Sequence, residues 1–305
     1  MSSRRHVLVL AFAALAGPPL LGCAARPRDA DAAWEGRLQG RTIALLGEVH
    51  DNAALHRLRT ESLERALAAG WRPAIVMEQF DLERQHDLER SRREHPRDTQ
   101  RLIDAAAGEH SGWDWAYYQP VLALALAHDL PLLAGNLSRR DAARVMREGA
   151  AAALGEARAR ALGLLDPIDP VLLAAQQRAI DAGHCGALPP ALLPRMAEAQ
   201  LARDAVMAAV LREHADHGVV LLAGDGHVRR DLGVPRWLAG VADEHVVSVG
   251  FIEDTDVPVA GRYDAVVVAA PAPRDDPCRD FVPPSLKRAR LGLSDERRRA
   301  SRAPA

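Results

Sequence analysis

Residues 43–50 read Ile-Ala-Leu-Leu-Gly-Glu-Val-His, an apolar run that ends in a glycine, a carboxylate and an imidazole. Continuous apolar runs of this length are typical of parallel strands that are covered on both faces. Asp51-Asn52 follows and predicts the N-cap of a helix. Because alternate residues of an extended chain point the same way, we expect Glu48 and His50 on one side of a strand end. The alternative is a surface strand end with two solvated side chains.

The same pattern recurs further along the chain. Apolar runs at 74–77, 130–135 and 219–223 end in Glu78, in Asn136 and in Gly224-Asp225-Gly226-His227, respectively. Helical patterns lie between the runs, and crossovers of this kind join parallel strands. The sequence therefore predicts an α/β fold with a mostly parallel sheet flanked by helices. Two further strands are expected at 246–251 and 265–269.

Composition and segment patterns predict the organisation of the chain. Its 305 residues are 48% hydrophobic with a net charge of −2, which allows a large core and indicates no nucleic-acid partner. We expect one domain at 42–270, with a large helical insertion at 139–217 and a helix at 228–239. Residues 23–41 are interpreted as a linker. Residues 271–305, where Pro and Arg dominate, are interpreted as a partly disordered tail.

The N-terminus has the features of an export signal. Arg4-Arg5 precede a short apolar stretch that is followed by Leu20-Leu21-Gly22-Cys23. The apolar stretch is short for a membrane span, so residues 1–22 are interpreted as a signal peptide. The tetrapeptide resembles the lipobox of bacterial lipoproteins, in which the cysteine is lipidated. We expect Cys23 to anchor the protein at the outer membrane, facing the periplasm; the alternative is an ordinary signal with a chance cysteine.

Two other cysteines remain, Cys185 and Cys278. In an exported protein two remaining cysteines more often pair than not, so a disulfide is expected between them. The alternative is that Cys185, which follows His184, ligates a metal or a haem.

Four ionisable residues are expected to meet at the edge of the sheet, namely Glu48, His50, Glu78 and His227. Carboxyl ends of neighbouring parallel strands share one crevice. Two histidines and two carboxylates suit a divalent metal such as Zn, Mn or Fe, or a general-base site without metal. Asn136 could add a polar contact there or be a simple turn residue.

Several of these segments together resemble a known family. They resemble the ChaN-like haem-binding lipoproteins, which belong with the Tiki/TraB proteins and are related in fold to the erythromycin esterases. The resemblance rests on Gly47-Glu48-Val49-His50, the Glu78 strand end, the segment with Trp115 and Tyr118, and Gly224-Asp225-Gly226-His227. It covers about residues 42–268. The resemblance implies a lipoprotein that binds haem and takes part in iron acquisition. An outer-membrane haem transporter and a second copy of the chain, in a homodimer, are candidate partners. In the Tiki branch similar residues imply metal-dependent proteolysis, and in the esterases they imply hydrolysis with a His base.

Haem binding requires an apolar slot and an axial ligand. Trp113, Trp115, Tyr117 and Tyr118 could form a wall of the slot, with Tyr118 or a histidine as the axial ligand; alternatively, the aromatic rings pack a helix against the sheet. The sequence has no Cys-x-x-Cys-His motif, so any haem would be bound non-covalently. Haem handling is the main hypothesis. A metal-dependent or His-based hydrolase is the alternative, because a haem carrier has no obvious need for four ionisable groups, and an inert lipoprotein is a third.

Overall fold

A computed structural model describes residues 34–38, 42–108, 112–255, 260–276 and 278–279. Its strands are β1 (Ile43–Leu46), β2 (Ala74–Asp81), β3 (Leu132–Asn136), β4 (Val219–Leu222), β5 (Val246–Glu253) and β6 (Ala265–Ala269). Its α-helices are α1 (Ala53–Ala68), α2 (Gln85–Glu94), α3 (Thr99–Ala106), α4 (Gln119–Ala127), α5 (Arg139–Glu148), α6 (Ala150–Leu154), α7 (Glu156–Ala161), α8 (Pro170–Gly183), α9 (Leu193–His214) and α10 (Asp225–Val228).

The described strands form one sheet with the order β3-β2-β4-β1-β5-β6, and every neighbouring pair is parallel. The predicted α/β fold with a parallel sheet is therefore confirmed. All carboxyl ends lie at one edge of the sheet. Strands β2 and β3 lie on one side of β4, and β1, β5 and β6 lie on the other. The strand order therefore reverses near β4, and crevices for ligands form at such switch points.

Alternation along β1 explains why helices cover both faces of the sheet. Ala44 and Leu46 pack into the core that includes α1, α3 and α4, whereas Ile43 and Leu45 pack into the core that includes α9. All four side chains are fully buried. The apolar run of β1 thus serves two cores at once, with the period of two that a strand imposes.

The predicted helical insertion consists of α5 to α9, and its last helix has a second role. Met207, Ala208 and Leu211 of α9 pack against the sheet, together with residues of β1 and β4. Other residues of α9, such as Ala202 and Val206, pack against α5 and α6. One helix therefore joins the insertion to the sheet and carries side chains to the sheet edge.

The helix predicted at 228–239 is wrong. Helix α10 ends at Val228, because Arg229 adopts an extended conformation with ψ of 134°. The chain then folds back so closely that a Cβ on Gly233 would lie 2.1 Å from the backbone oxygen of His227. A single 3-10 turn at Val234–Trp237 follows.

The ends of the described chain pack onto the domain. Trp34 is buried in the core with α1, so packed structure begins before residue 42. After β6, Arg274 pairs with Glu253 and, at 2.9 Å, with Asp51. Residues 1–22, Cys23 and residues from 280 onward lie outside the described ranges. Within those ranges no helix has the length and apolar character that a membrane crossing requires.

A disulfide ties the C-terminal segment to the insertion. Cys185 and Cys278 are bonded, with an S–S distance of 2.04 Å and a Cα–Cα distance of 5.5 Å. Cys185 follows α8 and lies beside His184. The structure therefore places Cys185 in a disulfide rather than on a metal or haem.

Candidate functional site

An open cleft of about 990 Å³ lies at the carboxyl edge of the sheet. Its lining combines histidines, carboxylates, arginines and one tryptophan. The lining residues include His50, Glu78, Asp81, Glu83, Arg84, Trp113, Asn136, Arg139, Arg140, His184, Gln200 and Arg203. A second cleft of about 740 Å³ reaches His227, and both clefts share His184 and Gln200.

Glu48 is a buried anion at the centre of a polar network. Its carboxylate accepts hydrogen bonds from the Tyr118 hydroxyl at 2.6 Å and from His50 Nδ1 at 2.9 Å, and it forms an ion pair with the buried Arg59. Burial alone would raise the pKa of Glu48. The charge of Arg59 and the hydrogen bond from His50 outweigh burial and lower the pKa to about 2. Glu48 is therefore ionised over the physiological range.

His50 connects this network to the cleft. Its Nδ1 is held by Glu48, and the side chain is 50% exposed. Burial lowers the pKa of His50, but the hydrogen bond to Glu48 and the charge of Glu78 have the larger combined effect, and the net shift is upward. Trp113 meets the imidazole edge to face, with ring centroids 4.9 Å apart. His50 is thus a fixed, accessible imidazole.

His56 stays neutral beneath His50. Its Nε2 donates to the backbone oxygen of His50 at 3.1 Å, and its Nδ1 lies 3.3 Å from a donor nitrogen of Arg59. Burial and the charge of Arg59 lower the pKa of His56 to about 4. This ring supports the backbone at the end of β1 and does not face the cleft.

A second acid–histidine group is formed by Glu78, Asp204 and His227. His227 Nδ1 lies 2.5 Å from Asp204 Oδ1, and its Nε2 lies 3.5 Å from Glu78 Oε1. The other oxygen of Glu78 accepts from the Gly224 backbone N–H at 2.8 Å. Burial alone would lower the pKa of His227, but the charges of Glu78 and Asp204 raise it to about 10. At neutral pH this imidazole is a cation between two carboxyl groups.

The pKa values of the two carboxyl groups diverge. Burial raises the pKa of Asp204 to about 6, since the nearby charge of His227 offsets burial only partly. Burial alone would also raise the pKa of Glu78, but the charge of His227 and its hydrogen bond lower that pKa to about 2. Glu78 is therefore the permanent anion of the group.

The structure brings all four predicted site residues to one edge of the sheet. Glu48 and His50 follow β1, Glu78 lies in β2 beside an irregular stretch of its pairing with β3, and His227 is in α10 after β4. A Cβ on Gly224 would lie 2.9 Å from His50 and 3.6 Å from Glu78. The side chains of His50 and Glu78 therefore approach the same glycine.

A divalent-metal site made from these residues is not supported. The part of the chain that the structure describes contains no group of three or more His, Cys, Asp or Glu side chains arranged to hold a metal ion. The donor atoms are directed at protein partners instead. Glu48 binds Arg59 and Tyr118, and Glu78 binds Gly224 and His227.

Most of the predicted aromatic wall faces the core. Tyr118 is fully buried, and burial together with the charge of Glu48 raises the pKa of its hydroxyl, so it is not an accessible axial ligand. Trp115 stacks on Phe80 with centroids 5.2 Å apart, and Tyr117 stacks on His56 at 5.1 Å. These rings pack a helix against the sheet, as the alternative interpretation held. The cleft is lined by Trp113 and by Asn136.

Sequence reasoning missed Arg59, Asp204 and Arg203. Each lies on a helix among apolar residues of the inner face: Arg59 is four residues from both Leu55 and Leu63, and Asp204 lies between Ala202 and Val206. Charged side chains are rarely buried without a partner. A charged residue at an inward helical position was thus the signal that could have found them.

These observations define a class: an α/β protein with a parallel sheet whose carboxyl edge carries two acid–histidine groups beside an open cleft. The sequence model of the family described as "Haem-binding uptake, Tiki superfamily, ChaN" matches residues 35–238. The chain belongs to this family. No curated protein matches it by sequence.

The chain is similar to solved structures. ChaN of Campylobacter jejuni, described with cofacially bound haem, is similar with a TM-score of 0.62 and 19% sequence identity, over 76% of this chain and 89% of that chain. A mutant of the erythromycin esterase EreC in its open conformation has a TM-score of 0.43 at 17% identity, over 72% and 71% of the two chains. The first comparison shows a shared fold.

Proposed function

We propose that this chain binds haem non-covalently in the cleft at the carboxyl edge of the sheet and takes part in haem and iron acquisition. Membership of the haem-binding uptake family supports the proposal. The observation that carries it is the presentation of His50. Glu48 holds Nδ1, so Nε2 is the ring nitrogen left to face a ligand in the cleft. A carboxylate on the far nitrogen fixes and strengthens an imidazole ligand.

The residues of the cleft fit this cargo. Haem supplies an iron that takes an axial ligand and a flat apolar ring. His50 would hold the iron, Glu48 would fix the imidazole, and Trp113 would cover part of the ring face. A volume of about 990 Å³ lies at the upper end of the range of ligand pockets. Tyr118 is not needed in this arrangement, because it is buried against Glu48.

An absorption titration with hemin tests the proposal. The wild-type protein should give a saturable Soret shift, and His50→Ala should lose that shift or weaken binding by about tenfold or more, the equivalent of about 1.4 kcal/mol. His128→Ala is the matched control, since His128 is exposed at the end of α4 and does not line the cleft. If the wild type gives no saturable change, haem binding is refuted. If His50→Ala binds like the control, the assignment of His50 is refuted.

The cellular location is part of the proposal. We infer that the protein is a lipoprotein, anchored through Cys23 at the outer membrane and facing the periplasm, where a haem transporter would be its partner. The Leu20-Leu21-Gly22-Cys23 sequence supports this, as does the Cys185–Cys278 disulfide, since disulfides persist in oxidising compartments. Mass spectrometry of the protein from membranes should show a mature chain that begins with acylated Cys23. An unmodified Cys23 would overturn the inference.

The Asp204–His227–Glu78 group favours a second candidate, a hydrolase. A carboxylate on Nδ1 of a buried histidine is the arrangement that orients imidazoles for proton transfer. Since the pKa of His227 is about 10, it would donate a proton at neutral pH rather than act as the base. Ester and peptide substrates should then be hydrolysed by wild type and not by His227→Ala. Absence of any hydrolysis by the wild type removes this candidate and leaves the haem proposal unchanged.

A further inference from the structure

One end of the cleft is rich in arginines. Arg84 follows β2, Arg139 and Arg140 begin α5, and Arg203 comes from α9. Three carboxylates line the same cleft, and one of them, Glu78, is engaged with Gly224 and His227. Four arginines therefore face two remaining carboxylates, those of Asp81 and Glu83.

Two of these arginines lack a carboxylate partner. Arg203 donates to Asn136 Oδ1 at 2.6 Å and to the Leu137 backbone oxygen at 2.7 Å, both neutral acceptors. Among the described residues neither Arg203 nor Arg139 forms an ion pair. Arg140 makes long contacts with Glu83 at 3.5 Å and with Asp141 at 3.4 Å. The guanidinium of Arg203 is therefore held in place by neutral acceptors, without an ion pair.

Asp81 interacts electrostatically with three of these arginines but forms an ion pair with none of them. Burial and the neighbouring charge of Glu83 raise its pKa, against the opposing charges of Arg203, Arg84 and Arg139. It forms no ion pair within the described residues. The cationic end of the cleft thus has room for an acidic ligand group.

The distance between the arginines and His50 suits a tetrapyrrole whose centre lies at His50 and whose acidic edge lies at the arginines. The His50 ring lies against Gly224 at the end of β4, whereas Asn136, which accepts from Arg203, ends β3. Strand β2 lies between β4 and β3, so the separation is two strand spacings, roughly 10 Å. A macrocycle centred at His50 would bring its acidic edge to the arginines.

We propose that the cleft selects tetrapyrroles that carry free carboxylate side chains, and that Arg203 and Arg139 bind those carboxylates. The proposal rests on the proposed haem function and names the chemical group that the same site recognises. The planar guanidinium fork matches a carboxylate with two parallel hydrogen bonds. Arg203 is already fixed by its two neutral acceptors, so less side-chain freedom is lost on binding. Recognition by this end does not involve the iron, so metal-free porphyrins of the same acidity should use it too.

The test compares a metal-free dicarboxylic porphyrin with its dimethyl ester, in the same detergent, by fluorescence titration. The variants are Arg139→Gln, Arg203→Lys and the double variant; Arg147→Gln is the control, because it lies on the same helix α5 outside the cleft. Arg139 is exposed, so its substitution should not impair folding. Arg203→Lys keeps the charge and removes the fork.

The wild type should bind the acid at least tenfold more tightly than the ester, and added salt should weaken only the acid. Arg139→Gln and Arg203→Lys should each weaken the acid about tenfold or more, by loss of charge-assisted hydrogen bonds, with no change for the ester. Equal binding of acid and ester by the wild type, or an unchanged acid affinity in both single variants, overturns the carboxylate assignment. If the wild type binds hemin but has equal affinity for the porphyrin acid and its ester, the carboxylate assignment is refuted and the proposed haem function stands. Failure of the wild type to bind hemin or either porphyrin would instead refute the haem function itself.

Discussion

The imidazole of His50 lies against the backbone of Gly224, so close that a Cβ on Gly224 would come within 2.9 Å of His50 Cε1 and 3.1 Å of Nε2. The ring can occupy this position because residue 224 has no side chain. One glycine at the end of β4 therefore determines where a histidine from the end of β1 presents its free nitrogen. The same glycine binds Glu78 through its N–H.

Gly224→Ala should displace His50 and weaken hemin binding about tenfold or more, while leaving the fold largely intact. The physical reason is the contact below 3.0 Å, which forces the imidazole out of its place between Glu48 and the cleft. Gly226→Ala is the matched control, since a Cβ there would meet no atom within 4 Å. Hemin titration of both variants checks the prediction. Equal affinities for the two would show that the position of His50 does not matter for binding.

Glu48→Gln should destabilise the protein by about 3–5 kcal/mol, because it leaves Arg59 buried without a counter-charge. The matched control is Glu61→Gln, which breaks the exposed pair between Arg57 and Glu61 on α1, the helix that also carries Arg59. Exposed pairs of this kind contribute about 0.3–0.5 kcal/mol. Urea denaturation measures both changes. Similar losses for the two variants would show that the buried ion pair has no special role in stability.

The sheet and the convergence of Glu48, His50, Glu78 and His227 could be predicted because both follow from local patterns. Apolar runs of strand length alternate with helical segments, and parallel strands joined by crossovers place all their carboxyl ends at one edge. The insertion could be predicted for the same reason, since its helices are continuous runs rich in Ala and Leu. None of these steps requires knowledge of which helix packs where.

The predictions that were wrong concern features that depend on packing between distant segments. The helix predicted at 228–239 was broken by the close approach of Gly233 to His227, a contact that apolar periodicity does not reveal. Tyr118 was expected at the ligand, yet its hydroxyl is bound to Glu48, 70 residues away in sequence. Arg59 and Asp204 were missed because their partners are on other elements. Local pattern locates the ends of elements, and tertiary contact decides what each side chain does there.

Tyr118→Phe should leave the hemin spectrum unchanged and reduce stability by about 1.5–3 kcal/mol. The substitution removes a hydrogen bond to a buried charge, made at 2.6 Å, and does not alter the cleft lining. Tyr117→Phe is the control, because Tyr117 stacks on His56 through its ring, which phenylalanine retains. Chemical denaturation and a hemin titration are the two measurements. A loss of the Soret shift in Tyr118→Phe would restore this tyrosine as a ligand.

Removal of the disulfide should cost about 4–5 kcal/mol in the loop-entropy model, since Cys185 and Cys278 are 93 residues apart. Reduced wild type and Cys278→Ser should lose the same amount, because each frees the segment after β6 from the insertion. Denaturation in the presence and absence of reductant measures the loss. If reductant destabilises the wild type and the serine variant equally, the effect does not come from this bond.

The stability that His227 provides should decline as pH rises from about 6.5 to about 10. In the folded protein the charges of Glu78 and Asp204 hold the pKa of His227 near 10, whereas an unfolded chain has a histidine pKa of about 6.5. The folded state therefore binds the proton more tightly throughout this window, so the contribution is complete below pH 6.5 and is lost as pH passes through 10. Asp204, with a pKa of about 6, and Glu78, with a pKa of about 2, titrate below the window.

The difference in unfolding free energy between wild type and His227→Gln removes the contributions of titrating groups that do not interact with His227. It should be largest at pH 6 and should narrow steadily up to pH 10. Nitrogen NMR of the wild type should show both ring nitrogens of His227 protonated at pH 8. A difference that is constant with pH, or a neutral ring at pH 8, would show that Asp204 and Glu78 do not hold the proton on His227.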